Sequence, residues 1–213
     1  MRIGILCFIS LLSVVPVVAT PTRTLDTEAA SDPVVKRVLT LDPIQIHTHG
    51  SAETEFEAIA RELNRPNLVM DVQRTYARML PAGRQPEFVI RPATTNTYYY
   101  VNKNGERSDI REVLRRNSAP GTIRCVYHVK GQRFFGPFES VIQIDARQEG
   151  AKTTCYEIDV YAHPEVTVTR FLARHLPFIY HYFQSKTRDV ASLVVSIVRE
   201  SLKDDPVRVS PPP

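Results

Sequence analysis

Cysteine, glycine and catalytic signatures are all scarce in this chain of 213 residues. Three cysteines cannot build a disulfide-dense scaffold, and the chain is long enough to bury a core without one. Eight glycines exclude collagen and glycine-rich linkers, and sixteen prolines are too few and too scattered for an extended proline rod. There is no Gly-x-Ser-x-Gly elbow, no phosphate-cradling glycine loop and no dinucleotide fingerprint. After residue 18 no apolar run approaches the length of a membrane span. What is present, 43% hydrophobic and 23% charged residues, is the make-up of one ordinary globular domain.

The N-terminus is the most legible stretch. Met1-Arg2 gives a positive start, Ile3 to Val18 is almost wholly apolar, and Val17-Val18-Ala19 leaves it on small residues. This predicts a signal peptide over 1–19, cut near Ala19, and a secreted or periplasmic product. An uncleaved anchor is the alternative. Cys7 lies too early to be a lipid-attachment cysteine. Residues 20–34, polar and aperiodic, read as a flexible leader; 35–203 as a single α+β domain; 204–213 as a disordered, proline-rich tail.

Within the domain, Val35 to His47 mixes β-branched and alternating residues and predicts a first strand. Phe56, Ile59, Ala60 and Leu63 recur at helical spacing after a possible Ser51 cap, and Leu68, Val72, Tyr76 and Met79 mark a second helix. The period then changes to two through about six strands, with Asn104-Gly105 as a two-residue hairpin turn. Helical spacing returns over Val166 to Phe183 and Val190 to Leu202. The expected fold is α+β: a curved antiparallel sheet of six to seven strands, two short helices after strand 1, and a long C-terminal helix pair covering the concave face. This order resembles the helix-grip fold of the START/Bet v1-like (SRPBCC) superfamily over residues 35 to 203. The resemblance implies a domain that binds apolar ligands. It departs at Pro177 and Ser185, which interrupt a final helix that is usually continuous. A cystatin-like cone is the alternative.

A two-residue loop at Asn104-Gly105 pairs Lys103 with Glu106 and places Tyr99, Val101, Ile110, Glu112 and Leu114 on the apolar, inward face. Tyr98, Tyr100, Asp109, Arg111 and Arg115 then point outward. Alternation in later strands turns Cys125, Tyr127, Ser140 and Tyr156 inward. With Tyr99, Glu112 and Phe171 of the last helix, these make the predicted pocket lining: apolar walls with sparse polar handles. The competing reading is a filled core whose tyrosine hydroxyls reach the rim. Glu112 stands out, because an inward carboxylate must be paired or shifted in pKa. The expected function is therefore an exported, non-catalytic binding protein for a hydrophobic, lipid-like small molecule. The alternatives are an enzyme of the same fold using Glu112 as acid or base, or an interaction module with a filled core.

Other constellations carry less. His47 and His49 share a strand face but lack a third and fourth ligand, so neither a metal nor a cofactor is expected. Cys125 and His128 fall on opposite strand faces and cannot act as nucleophile and base. Residues 103–133 hold 8 basic and 3 acidic side chains. Cross-strand pairing with Glu139, Asp145, Glu157 and Asp159 accounts for them better than nucleic acid, which is not expected as a partner. An anionic membrane surface stays open as a partner. Cys125 and Cys155 are predicted to stay unbridged, because they face opposite ways and lie on strands separated by a third.

Overall fold

The computed structural model describes residues 25–200, apart from 87, 103, 134–135, 176–180, 182–183, 186–187, 189–191, 193–194 and 198. The expected signal peptide and proline-rich tail lie outside the described residues.

Two short helices come first, α1 (Thr27–Ser31) and α2 (Pro33–Thr40). Helix therefore stands at 27–31 and 33–40, where a flexible leader to 34 and a strand from Val35 were expected, and only Ile44 to His47 of that expected strand is extended. Asp26 and Asp32 are both N-caps, accepting from Glu28 and Ala29, and from Val34 and Val35, respectively. Pro33 sits in the first turn of α2, where its missing N–H costs nothing. Val35 and Val38, one turn apart, are both completely buried. Their β-branched character suggested a strand, but burial on one helical face outweighs that weak preference.

Strand β1 (Ile44–Ala52) takes in Ser51, so α3 (Phe56–Leu63) is capped by Glu55 without a side-chain bond. Then follow α4 (Leu68–Met79), β2 (Phe88–Thr94), β3 (Thr97–Asn102), β4 (Arg107–Ala119), β5 (Thr122–Arg133), β6 (Gly136–Gly150), β7 (Thr153–Pro164) and α5 (Thr167–His175). The seven strands form one antiparallel sheet in the order β1-β7-β6-β5-β4-β3-β2. Register shifts in β2, β4 and β6 break the ladder and bend it.

Two of these irregularities re-aim side chains. The β3–β4 loop has three residues, not two: the N–H of Asn102 donates to the carbonyl of Glu106, and Gly105 takes the left-handed φ of 77° that such a loop needs. Tyr98, not Tyr99, therefore pairs with Ile110 and faces inward. In β4 a bulge at Val113 puts Leu114 opposite Val126 and Arg115 opposite Cys125. The faces swap there: Leu114 joins the outer core, and Arg115 turns in.

Each face of the sheet carries its own core. On the concave side Phe56, Ile59, Leu63 and Leu68 of α3 and α4 pack on Ala52, Ile123 and Ala146. On the convex side Leu25, Ala29, Val35 and Val38 of the N-terminal segment pack on Val126, Val141 and Tyr161. Ion pairs surround this second core. Arg111 holds Asp32 at 2.7 and 2.9 Å. Arg116 and Arg124 both hold Asp26, at 2.7 and 2.9 Å, and Arg124 also pairs across the strands with Asp145. Arg37 and Lys130 converge on Glu139. The basic excess of residues 103–133 thus meets carboxylates of the same chain, among them the Asp26 and Asp32 caps of α1 and α2.

Candidate functional site

The concave core does not fill its space. A cavity of about 470 Å³ lies between the sheet and α3, α4 and the helical residues 195–199. The contrast between the two faces of the central strands marks it. Val126 and Val141, facing out, are fully buried, whereas Ile142 and Ile144, facing in on the same sheet, are only half-buried. Their accessible surface looks into the cavity.

The wall is built largely by alternation. Strand β5 supplies Cys125, Tyr127 and Val129; β6 supplies Ile142, Ile144 and Ala146; β7 supplies Thr154, Tyr156, Ile158 and Val160. Leu63, Leu68 and Val72 close it from the helices, and Val195 and Arg199 from the C-terminal segment. The Thr154 hydroxyl is occupied, donating to the carbonyl of Thr54 at 2.8 Å. Tyr127 and Cys125 stand two residues apart on the inward face of β5, and burial pushes the Cys125 thiol up to about 12 and raises the Tyr127 phenol. Both are neutral at physiological pH, so no nucleophilic thiolate faces the cavity.

The predicted lining residues divide accordingly. Cys125, Tyr127 and Tyr156 line the cavity. Ser140 is buried beside Val129 on the same face but stands beyond the wall. Glu112, half-buried, stands opposite Tyr127, and its carboxylate accepts from Arg115, whose other terminal nitrogen donates to the carbonyl of Arg65. Tyr99 lies on the outer face, with the guanidinium of Arg107 4.3 Å over its ring. Phe171 is also outside: it is 58% exposed and packs against His175. Val166 and Val168 beside it also face solvent.

Sequence reasoning missed Tyr98, Arg115, Val195 and Arg199. The first two depended on a loop length and a bulge that period-two counting does not register. Arg199 stands one helical turn after Val195, and that spacing was a usable signal.

Outside the cavity, His47 and His49 stack on the convex face, with His47 Nδ1 2.8 Å from Asp159. Among the described residues no group of three or more metal-ligating side chains converges. Cys125 and Cys155 are both unbridged; Cys155 faces outward and donates to Glu149.

Gly50 has a specific role in shaping the wall. It pairs with Tyr156 across β1 and β7, and a Cβ built there would fall 2.3 Å from the phenol oxygen. Gly50→Ala should therefore push the Tyr156 ring into the cavity and cost roughly 1–3 kcal/mol. A lowered thermal midpoint together with weakened probe binding in the cavity would bear this out. An unchanged midpoint would show that the ring has another place to go.

No protein-family model and no curated protein sequence matches this chain. Solved structures do. A hypothetical protein from Helicobacter pylori matches with a TM-score of 0.51 at 6% identity, covering 83% of this chain and 97% of that one. A conserved protein from Geobacillus kaustophilus matches with a TM-score of 0.50 at 11% identity, covering 76% and 97%. Norcoclaurine synthase from Thalictrum flavum, a Bet v1-like protein, matches at 0.48 and 12% identity, covering 86% and 95%. Identities this low speak to fold alone: the chain shares with the first two an α+β architecture, a curved antiparallel sheet carrying helices, consistent with the helix-grip arrangement.

Proposed function

We propose that this chain is an exported, non-catalytic binding protein for an apolar or amphipathic small molecule held between the sheet and the helices. One observation carries the reading: the concave face encloses about 470 Å³ walled almost entirely by aliphatic and aromatic side chains. That volume lies within the range of small-molecule sites, and the few polar groups in the wall are of the kind that orient a ligand. Catalysis through Glu112 has less support, because its carboxylate is engaged by Arg115 and is not part of the wall.

The test is to extract the purified protein into organic solvent for mass spectrometry, and to titrate it with an apolar fluorescent probe. Wild type should release a lipid-like molecule or bind the probe. Ile144→Trp, which grows into the space from the middle of β6, should lose both while keeping its fold by circular dichroism. A folded wild-type protein that releases nothing and binds no probe would overturn the proposal.

A further inference from the structure

On the central strands β4 and β5 four arginines are matched to carboxylates of the same chain. Arg111 meets Asp32, Arg116 meets Asp26 and Glu28, Arg124 meets Asp26 and Asp145, and the inward Arg115 meets Glu112. The cavity breaks this pattern. Among the described residues Arg199 is the one charged residue in its wall, and no described aspartate or glutamate lines that wall with it. Arg199 is exposed, whereas Val195, one turn earlier on the same helical face, packs into the concave core. The side chain therefore starts on the apolar lining and ends in water, as a long cationic side chain at a cavity mouth does. The other polar side chains of the wall, Thr54, Cys125, Tyr127, Thr154 and Tyr156, carry no positive charge, and the Thr154 hydroxyl is already bonded to the carbonyl of Thr54.

Resting on the binding function proposed above, we infer that the ligand is an anionic single-chain amphiphile, its tail along Ile142, Ile144 and Ile158 and its carboxylate or phosphate monoester head on the Arg199 guanidinium. A tail alone would leave the cation unused, and a zwitterionic or cationic head would lose the attraction. The planar fork of arginine suits a two-oxygen anion.

Competition against a bound apolar fluorophore tests this with three probes of equal chain length: dodecanoate, dodecyl phosphate and dodecanol. In wild type at least one of the two anions should bind about tenfold tighter than the alcohol, the size of one charge-assisted hydrogen bond at a partly exposed site. Comparing the two anions identifies the head. In Arg199→Gln that advantage should vanish while dodecanol affinity stays as in wild type; Arg199 is exposed, so the variant should fold. Equal affinity for all three probes in wild type, or an anion preference that survives Arg199→Gln, would overturn the inference and leave the cavity as a neutral apolar site. Failure of all three probes to displace the fluorophore would count against the binding function itself.

Discussion

Replacing Arg115 by alanine should destabilise the protein by about 3–5 kcal/mol, a large part of the stability of any domain this size. The side chains of Arg115 and Glu112 are only 11% and 12% exposed. Their bond lies at the edge of the apolar cavity, and Arg115 also reaches the carbonyl of Arg65 in the α3–α4 turn. Truncation would leave Glu112 as a buried charge without its partner and free the turn that holds both concave helices. The penalty arises from the orphaned charge, not from any large net worth of the pair. Arg115→Met combined with Glu112→Leu should therefore recover most of the loss. Urea unfolding of the single and double variants decides the point. A single variant within about 1 kcal/mol of wild type, the range of an exposed pair, would mean that Glu112 finds water.

Acid should undo the convex face first. Burial works against ionisation of Asp26, but bonds from Arg116, Arg124 and the N–H groups of Ala29 and Glu28 outweigh it and hold the carboxyl at about 2. The Arg111 guanidinium holds Asp32 at about 2 as well. Both lie below the ordinary 3.8, so the unfolded chain binds more protons than the folded one between these values. The stabilisation is complete above about pH 4 and is lost as pH falls through 2, roughly 2 kcal/mol for each carboxyl. Asp32, 21% exposed, contributes the smaller share. Unfolding free energy measured against pH should therefore drop by about 3 kcal/mol over that interval. The double variant Asp26→Asn, Asp32→Asn should start lower at neutral pH and fall less, the two curves converging near pH 2. Parallel curves would place the acid sensitivity elsewhere, Glu139 being the next carboxylate held low despite its burial.

Much of the fold was legible because burial writes a period into sequence. The helices Phe56–Leu63 and Leu68–Met79 and the inward faces of β5, β6 and β7 follow from spacing alone. Three things escaped, each for a local reason. Val35 looks like a strand residue until Asp32 is read as a cap and Pro33 as its first-turn companion. Asn104-Gly105 looks like a two-residue turn, but the strands close on Asn102 and Glu106, and that shift of one residue exchanges Tyr98 for Tyr99. Nothing in Glu112-Val113-Leu114 announces a bulge, yet it sends Arg115 into the interior. Errors of one residue reverse a strand's faces, so the inward faces were legible where the ladder runs unbroken, from Cys125 to Val129 and from Ile142 to Ala146, and were misread on the β3–β4 hairpin.

The docking of α1 and α2 on the convex face has a consequence for how the chain reaches this state. Asp26 bonds to partners 90, 98 and 117 positions further on, in β4, β5 and β6. The first-made helices thus have no seat until the middle of the sheet exists, and contacts so distant along the chain form slowly. In the interval Val126, Val141 and Tyr161 face water as a bare apolar patch on a nearly finished sheet, the kind of surface through which partly folded chains stick to one another. The N-terminal pair acts as the closing piece of assembly. A fusion or tag that hinders it should leave a chain able to build its cavity yet prone to self-association through the opposite face.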